Sequence, residues 1–187
     1  MAGQEYFSVH HSMVVNVEPL TDDYVLPTIN EFEAEIPHSF IIASEFSQLD
    51  QLNDKAMLEL KHSDLRYVMQ LLDHQNSKLN LILTYMLSEQ DDKQHRFHTL
   101  SFGASQFSYQ SNSALPIDSH SRAKLFLEHP AAAIYCYTKV VECVEHENGY
   151  AVTMEYILLR EQDQDLLIKA ALHQQQKLLR ERTLNRE

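Results

Sequence analysis

Glycine is scarce in this chain of 187 residues, which contains three glycines and no tryptophan. Neither glycine-rich phosphate-binding pattern, G-x-x-x-x-G-K or G-x-G-x-x-G, occurs in the sequence. No run of about 18 apolar residues is present, and no basic start followed by an apolar segment opens the chain. These absences argue against a P-loop or dinucleotide-binding enzyme, a membrane-spanning helix and a signal peptide, so we expect a cytoplasmic protein.

Residue patterns for catalysis or metal binding are also missing. The two cysteines, Cys136 and Cys143, have an odd spacing that would place them on opposite faces of a regular strand. They therefore predict neither a local disulfide nor a zinc site, and two reduced thiols suit a reducing cytosol. The eleven histidines show no H-E-x-x-H spacing, and no G-x-S-x-G pattern accompanies them. We expect no enzyme activity, no metal and no resident cofactor.

Positive charge is in short supply, because 15 Lys and Arg face 27 Asp and Glu, a formal net charge of -12. This balance argues against a nucleic-acid polymer or an anionic membrane as partner. The acidity is concentrated in residues 1–62, which carry eleven acidic and two basic residues. Residues 91–124 carry three acidic and four basic residues, so this stretch is not acidic.

The chain divides into three parts. Residues 1–43 hold Pro19, Pro27 and Pro37 and predict an irregular acidic leader with a short strand or two, around FSVHHSMVVNV. Residues 44–93 predict a helical extension, since no Gly or Pro interrupts 44–90 and good helix formers are frequent. SFIIASEF, at 39–46, fits either a short strand or the lead-in to a helix. Residues 94–187 predict a β-rich domain with a final helix.

Residues 63–90 predict a helix about 42 Å long, more than a small domain needs for its own core. Apolar residues recur at alternating steps of three and four, as in a coiled-coil seam with one polar interruption. The seam is Leu65, Val68, Leu72, Gln75, Leu79, Ile82 and Met86. It could pack along its own domain, or it could join copies of the chain; we favour self-association into a dimer or tetramer.

After residue 93 the period changes to two. Five β-branched and aromatic runs follow: RFHTLSFG, SQFSYQS, RAKLFLEH, AIYCYTKVVECVEH and GYAVTMEYILL. Asn148-Gly149 between the last two is a hairpin signal. Short antiparallel strands at this spacing indicate a small barrel. The remaining residues from 160 predict a helix with acidic residues in its first turns, which makes the fold class α+β.

The order of these segments resembles the PilZ family over about residues 94–180. The most characteristic portion is VVECVEHENGYAVTMEY followed by the acidic helix start, and SKLNLILTYML is similar to the helix that precedes the barrel in PilZ proteins with helical extensions. The resemblance implies a small antiparallel barrel with a C-terminal helix. It also implies a non-enzymatic regulator of motility, attachment or biofilm formation, linked to the bacterial second messenger cyclic di-GMP and acting through protein partners.

The family binds that dinucleotide through R-x-x-x-R before the first barrel strand and [DN]-x-S-x-x-G on it. Here Arg96 fills the second arginine position, but Asp92 stands at the first and would repel a phosphate. Thr99 and Ser101 align with the second motif, with Gly103 one place early. The motif is therefore degenerate, and we expect weak or absent binding at this site. The alternative is a functional receptor using Arg96, Ser101 and replacement charge from Arg122, from Lys124 or from a neighbouring subunit.

Overall fold

Six antiparallel strands close into a barrel in the computed structural model, which describes residues 7–60, 65–147 and 149–184. In chain order after the short β1 (Ser8–His10), they are β2 (Val14–Pro19), β3 (Arg96–Gly103), β4 (Gln106–Ser111), β5 (His120–Leu127), β6 (Ala132–His146) and β7 (Gly149–Leu158). The order around the barrel is β3, β2, β5, β6, β7 and β4, and a β3–β4 pair closes it. The predicted small antiparallel barrel is confirmed.

Four helices surround this sheet: α1 (Ile29–Glu35), α2 (His38–Leu60), α3 (Arg66–Ser88) and α4 (Glu161–Leu184). α3 and α4 correspond to the long helix and the terminal helix that the sequence predicts. α2 begins directly after Pro37, whose fixed φ suits the first turn of a helix. SFIIASEF is therefore the beginning of α2 and not a strand.

The leader contributes two strands to the same sheet as the barrel. β2 pairs with β3 on one side and with β5 on the other, and β1 pairs with the far end of β3. The strands expected around FSVHHSMVVNV are present, but they lie within the barrel sheet and not in a separate irregular segment. Residues 1–43 thus include the strand that completes the barrel.

The barrel interior is filled by alternate residues of its strands. β5 shows this plainly, since its buried and partly exposed residues alternate along the whole strand. One end of the interior is covered by α4, which contributes Leu166, Leu167, Ala170 and Ala171 to the same apolar cluster. A second cluster lies outside the barrel, where Tyr135 and Tyr137 of β6 pack with Phe32 of α1 and Phe40 of α2. We call it the outer cluster. β6 is consequently buried on both faces through its first half.

The two cysteines lie on one strand, but that strand is not regular. Both belong to β6, where the pairing with β7 shifts register between Val140 and Glu142. The exposed Val141 between them is the extra residue of a bulge, so the alternation of faces changes there. Cys143 packs against the same barrel cluster as Cys136, and the expectation of opposite faces is wrong for this reason. Both thiols are free.

The hairpin predicted at Asn148-Gly149 is only partly visible, because Asn148 lies outside the described residues. β6 and β7 are adjacent and antiparallel, and His146 pairs with Gly149 at the end of their ladder. In the part of the chain that the structure describes, no helix is both long enough and apolar enough to cross a membrane.

Candidate functional site

Two of the predicted ligand residues lie in one row across the barrel surface. Asn16 of β2 is the register partner of Arg96 on β3 and of Lys124 on β5. Directly opposite residues of neighbouring strands project from the same face of a sheet. The sheet therefore brings Arg96 and Lys124 together on either side of Asn16.

Both basic side chains bind to residues of the turn that connects α3 to β3. The Arg96 guanidinium forms an ion pair with the carboxylate of Asp91. The Lys124 ammonium donates a hydrogen bond to the Gln90 carbonyl oxygen at 3.1 Å. Between them, the buried amide of Asn16 donates to Asp91 at 2.8 Å and accepts from the backbone N–H of Asp92 at 2.8 Å. We call residues 89–95 the anchored turn.

The two aspartates of the anchored turn, Asp91 and Asp92, are held in their charged form. Burial alone would raise the pKa of Asp91, but hydrogen bonds from Arg96 and Asn16 outweigh it and the pKa is lowered. The hydrogen bond from His95 at 2.7 Å lowers the pKa of Asp92. The hydrogen bond to Asp91 raises the pKa of Arg96. A ligand phosphate would have to displace a carboxylate that is already ionised and paired with Arg96.

The residues aligned with the second nucleotide motif have local structural partners. Thr99 is buried, and its hydroxyl accepts from the Met13 N–H at 3.1 Å and donates to the His11 carbonyl oxygen at 2.7 Å. The hydroxyl of Ser101 is bonded to that of Ser108 at 2.8 Å. A register shift separates Thr99 from Ser101. The two hydroxyls are therefore not placed side by side to donate hydrogen bonds to one ligand.

Gly103 is required by the strand beside it. A Cβ atom at this position would lie 2.2 Å from the carbonyl oxygen of Phe7, which is closer than atoms can approach. The close approach serves the pairing of β1 with β3, in which Ser8 is the register partner of Gly103. The glycine is explained by this contact within the chain.

Arg122 lies one row away from Arg96 and Lys124, opposite Glu18 of β2 and Tyr137 of β6. Its guanidinium is 3.5 Å from the Glu18 carboxylate and 5.8 Å from the centre of the Tyr137 ring. The Nε atom is buried without a hydrogen-bond partner. Arg122 therefore faces a tyrosine cluster, and the structure does not bring it into the Arg96–Lys124 row.

That tyrosine cluster is a polar site that the sequence pattern does not reveal. The hydroxyls of Tyr135 and Tyr137 donate to one carboxylate oxygen of Glu35 at 3.0 and 2.6 Å. The Tyr24 hydroxyl lies 2.9 Å from that of Tyr137. Burial raises the pKa of Tyr135 to about 12 and also raises that of Tyr137. Both phenols stay neutral, so they act as donors that fasten α1 to β6.

Most of the predicted seam of α3 is exposed to solvent, and its last residue, Met86, packs on the rest of the chain. Leu65, Val68, Leu72, Leu79 and Ile82 are between 44 and 65 % exposed. Gln75 is exposed as well, and Met86 is half-buried against the outer cluster. The residues of α3 that are buried within the chain are Leu83, at the edge of the seam, and Leu87, about 40° farther around the helix.

A second exposed stripe runs along α3. Tyr67, Leu71, Leu81 and Tyr85 are between 62 and 78 % exposed, and they follow the same steps of three and four through His74 and Lys78. At about 100° per residue, this stripe lies roughly 100° around the helix from the seam. α3 thus presents two apolar faces to solvent in addition to the face that packs on the barrel.

Other chemistry is limited within the described ranges. No group of three or more His, Cys, Asp or Glu side chains there is arranged to hold a metal ion. Burial raises the pKa of the Cys136 thiol well above its ordinary value, which keeps it from forming a reactive thiolate. The arrangement described above can bind an anion only in competition with its own carboxylates.

Comparison of the sequence with protein-family models and with curated proteins gives no match. Among solved structures, one similar chain is a pathogenic protein from Xanthomonas campestris, described as a new tetrameric PilZ domain self-assembled via an unusual helical bundle. The identity is 10 %, the TM-score is 0.58, and the likeness covers 94 % of this chain and 91 % of that one. The Bacillus subtilis inhibitor of motility (MotI/DgrA) has 15 % identity and a TM-score of 0.42, over 44 % of this chain and 42 % of that one. The likeness to the Xanthomonas protein confirms that this chain has a PilZ-like fold with a helical extension.

Proposed function

We propose that this chain is a non-enzymatic PilZ-like adaptor of the bacterial cytoplasm that assembles through α3 and presents its barrels to protein partners. Control of motility, attachment or biofilm formation in connection with cyclic di-GMP is the role that the family resemblance implies. The observation that carries the proposal is the exposed seam of α3. Apolar patches of this length on a single helix ordinarily mark an interaction surface.

Two properties of α3 favour assembly over a lone chain. The seam keeps a heptad spacing from Leu65 to Met86, which lets two helices interlock along about three heptads. The Xanthomonas protein with the similar fold is described as a tetramer built on a helical bundle. Its likeness extends over nearly the whole of this chain, including the helical extension.

The second stripe favours a bundle of more than two helices. A two-stranded coiled coil covers one face of each helix and would leave the stripe through Tyr67, Leu71, Leu81 and Tyr85 in water. In a four-helix bundle each helix has two neighbours in the bundle, so both faces are covered. We therefore favour a tetramer over the dimer.

The proposal includes weak or absent binding of cyclic di-GMP at the family's usual position. Arg96 is paired with Asp91, Lys124 is bonded to the anchored turn, and Thr99 is buried with its hydroxyl partners filled. The hydroxyl of Ser101 remains near the surface, but one neutral hydroxyl contributes only about 1 kcal/mol to binding.

Light scattering on the purified chain tests assembly. We expect the mass of a tetramer, and we expect Leu72→Glu combined with Leu79→Glu to lower it, because charged side chains cannot be buried unpaired in a bundle. The matched control is Gln70→Glu combined with Ser77→Glu, which adds the same charge to exposed positions on the polar side of α3. The proposal would be contradicted if the wild type were a monomer at high concentration, or if the seam variant had the same mass as the wild type.

A functional receptor at the first barrel strand is the second candidate. It is favoured by the Arg96–Lys124 row, which places two cations on either side of Asn16. Calorimetric titration with cyclic di-GMP separates the two candidates, and we expect no binding at low-micromolar concentration. Asp91→Asn should release Arg96, so a site that exists but is occupied would gain affinity in this variant and lose it again in Arg96→Gln.

A further inference from the structure

A small cavity lies where the connection from β1 to β2, the turn from β5 to β6 and the middle of α4 meet. Its volume is about 40 Å³, whereas one water molecule needs about 10–15 Å³. Met13, Phe102, Leu127 and Ala170 form its apolar floor. The cavity is therefore large enough for a small polyatomic ion and has an apolar side.

The rest of the lining is rich in nitrogen donors. The polar residues are His11 from the β1–β2 connection, Glu128 and His129 from the β5–β6 turn, and His173, Gln174 and Lys177 from α4. The rings of His129 and His173 have their centres 5.6 Å apart. Three imidazoles, one ammonium and one amide face a single carboxylate, so the lining offers mainly hydrogen-bond donors once an imidazole is protonated.

The C-terminal part of α4 is basic, unlike the chain as a whole and unlike the acidic first turns of the same helix. Residues 166–184 of α4 carry Lys169, Lys177, Arg180 and Arg182 against Glu181, while the whole chain has a net charge of -12. Positive charge concentrated beside a cleft attracts anions and strengthens each contact inside it. The same charge opposes a metal cation, and no metal-binding group of three ligands is found in the described ranges.

We propose that this cavity binds a compact tetrahedral oxyanion of the phosphate class. The His173 and Lys177 side chains, one turn apart on α4, hold it from one wall, and His129 and His11 hold it from the other two. This inference uses no residue of the α3 seam or of the Arg96–Lys124 row, so it stands or falls separately from the proposed assembly and from cyclic di-GMP binding.

The first test titrates the full chain with sulfate by calorimetry at several pH values. Sulfate keeps its charge between pH 8 and pH 6, so any pH dependence of its binding must come from the protein. Imidazoles ordinarily gain their proton across this range, and the groups that line the cavity are His11, Glu128, His129, His173 and Lys177. We expect sulfate affinity to rise about tenfold over these two pH units. Affinity that stays flat with pH, or that falls, would overturn the proposal.

The second test locates the site. Lys177→Gln and His173→Gln should each weaken sulfate binding at pH 6 about tenfold, because each removes a charge-assisted contact. Gln174→Glu adds a carboxylate to the cavity wall and should abolish binding. Lys93→Gln and His98→Gln are the matched controls, since both residues are exposed and neither lines the cavity.

Equal losses in the controls and in the cavity variants would show nonspecific attraction to surface charge, and the proposal would then be wrong. Thermal unfolding without sulfate shows whether each variant folds. Gln174→Glu keeps the test decisive even if His173→Gln fails to fold, because Gln174 is only partly buried. A Gln174→Glu protein that folds and still binds sulfate as the wild type does would overturn the site.

Discussion

Asp163 of α4 is a fully buried carboxylate, and its partner is the guanidinium of Arg160. Both oxygens of Asp163 accept hydrogen bonds from Arg160 at 2.8 Å, and Arg160 is itself largely buried. Burial raises the pKa of Asp163, and the hydrogen bonds from Arg160 oppose that rise without cancelling it. The pair lies at the start of α4, next to Leu166 and Leu167, which pack in the barrel cluster.

Arg160→Met should destabilise the protein by about 3 to 5 kcal/mol near neutral pH, because it leaves the Asp163 carboxylate buried and unpaired. The measurement is urea unfolding, with Lys169→Met on the exposed side of α4 as the control. The double variant Arg160→Met with Asp163→Leu should recover much of the loss. A single variant as stable as the control would contradict the role of the pair.

The pH dependence of this effect has a definite sign. A carboxyl group whose pKa is raised by folding contributes stability below its unfolded-state pKa, and this contribution is lost as the pH rises through the folded-state pKa. The deficit of Arg160→Met relative to the wild type should therefore shrink as the pH falls toward the unfolded-state value of 3.8, since Asp163 is then protonated. A deficit that grows in acid would contradict burial as the cause.

At the scale of whole elements, the period-two runs of the C-terminal half suffice to predict β3 to β7. Their patterns alternate because one face of each strand fills the barrel, as in β4, where Phe107 and Tyr109 are buried. The helical period likewise predicts α3 and α4 to within a few residues. The sequence predicts these elements because the spacing of their apolar residues matches the pattern of burial in the fold.

The elements that the sequence leaves unclear are those whose environment is supplied from far away. β2 carries Asn16 among three valines, and the partners of that amide lie about 75 residues later in the anchored turn. α1 is short and packs Phe32 against Tyr135, a contact across about half the chain. The pairing of Arg96 with Asp91, by contrast, is local, because the two residues are five apart, and the acidic pair before Arg96 in the sequence was a usable signal for it.

The attachment of the helical extension to the barrel depends on the outer cluster. Phe40 of α2 is fully buried there and meets Phe126 edge to face, with ring centres 6.0 Å apart. Phe40→Ala should therefore cost about 3 to 5 kcal/mol in urea unfolding, the usual loss for a large cavity. Gln48→Ala, an exposed position on the same helix, is the control. Equal stability of the two variants would show that α2 contributes little to the fold.

At the scale of the whole molecule, the proposed self-association through α3 is opposed by the negative net charge of each copy. Each copy has a formal net charge of -12, so copies repel one another at low ionic strength. The exposed residues of the seam are apolar apart from Gln75, so screening by salt would not weaken the contacts of the proposed interface.

Raising the salt concentration from about 0.05 to 0.5 M should therefore strengthen self-association, because the Debye length falls from more than 10 Å to a few ångströms. Sedimentation equilibrium at matched protein concentrations measures this effect directly. The seam variant Leu72→Glu with Leu79→Glu is the reference that should stay dissociated at both salt concentrations. Dissociation of the wild type at high salt would point to an interface of ion pairs.

The anchored turn has a mechanical consequence. It is the joint between the helix proposed to lie in a bundle and the barrel proposed to meet partners, and it is fastened on both sides of Asn16 by Arg96 and Lys124. These three contacts, together with the packing of Leu83, Leu87 and Phe40 in the outer cluster, fix the orientation of α3 relative to the barrel. An anion that took Arg96 from Asp91 would remove one of these three attachments and leave those of Asn16 and Lys124 in place.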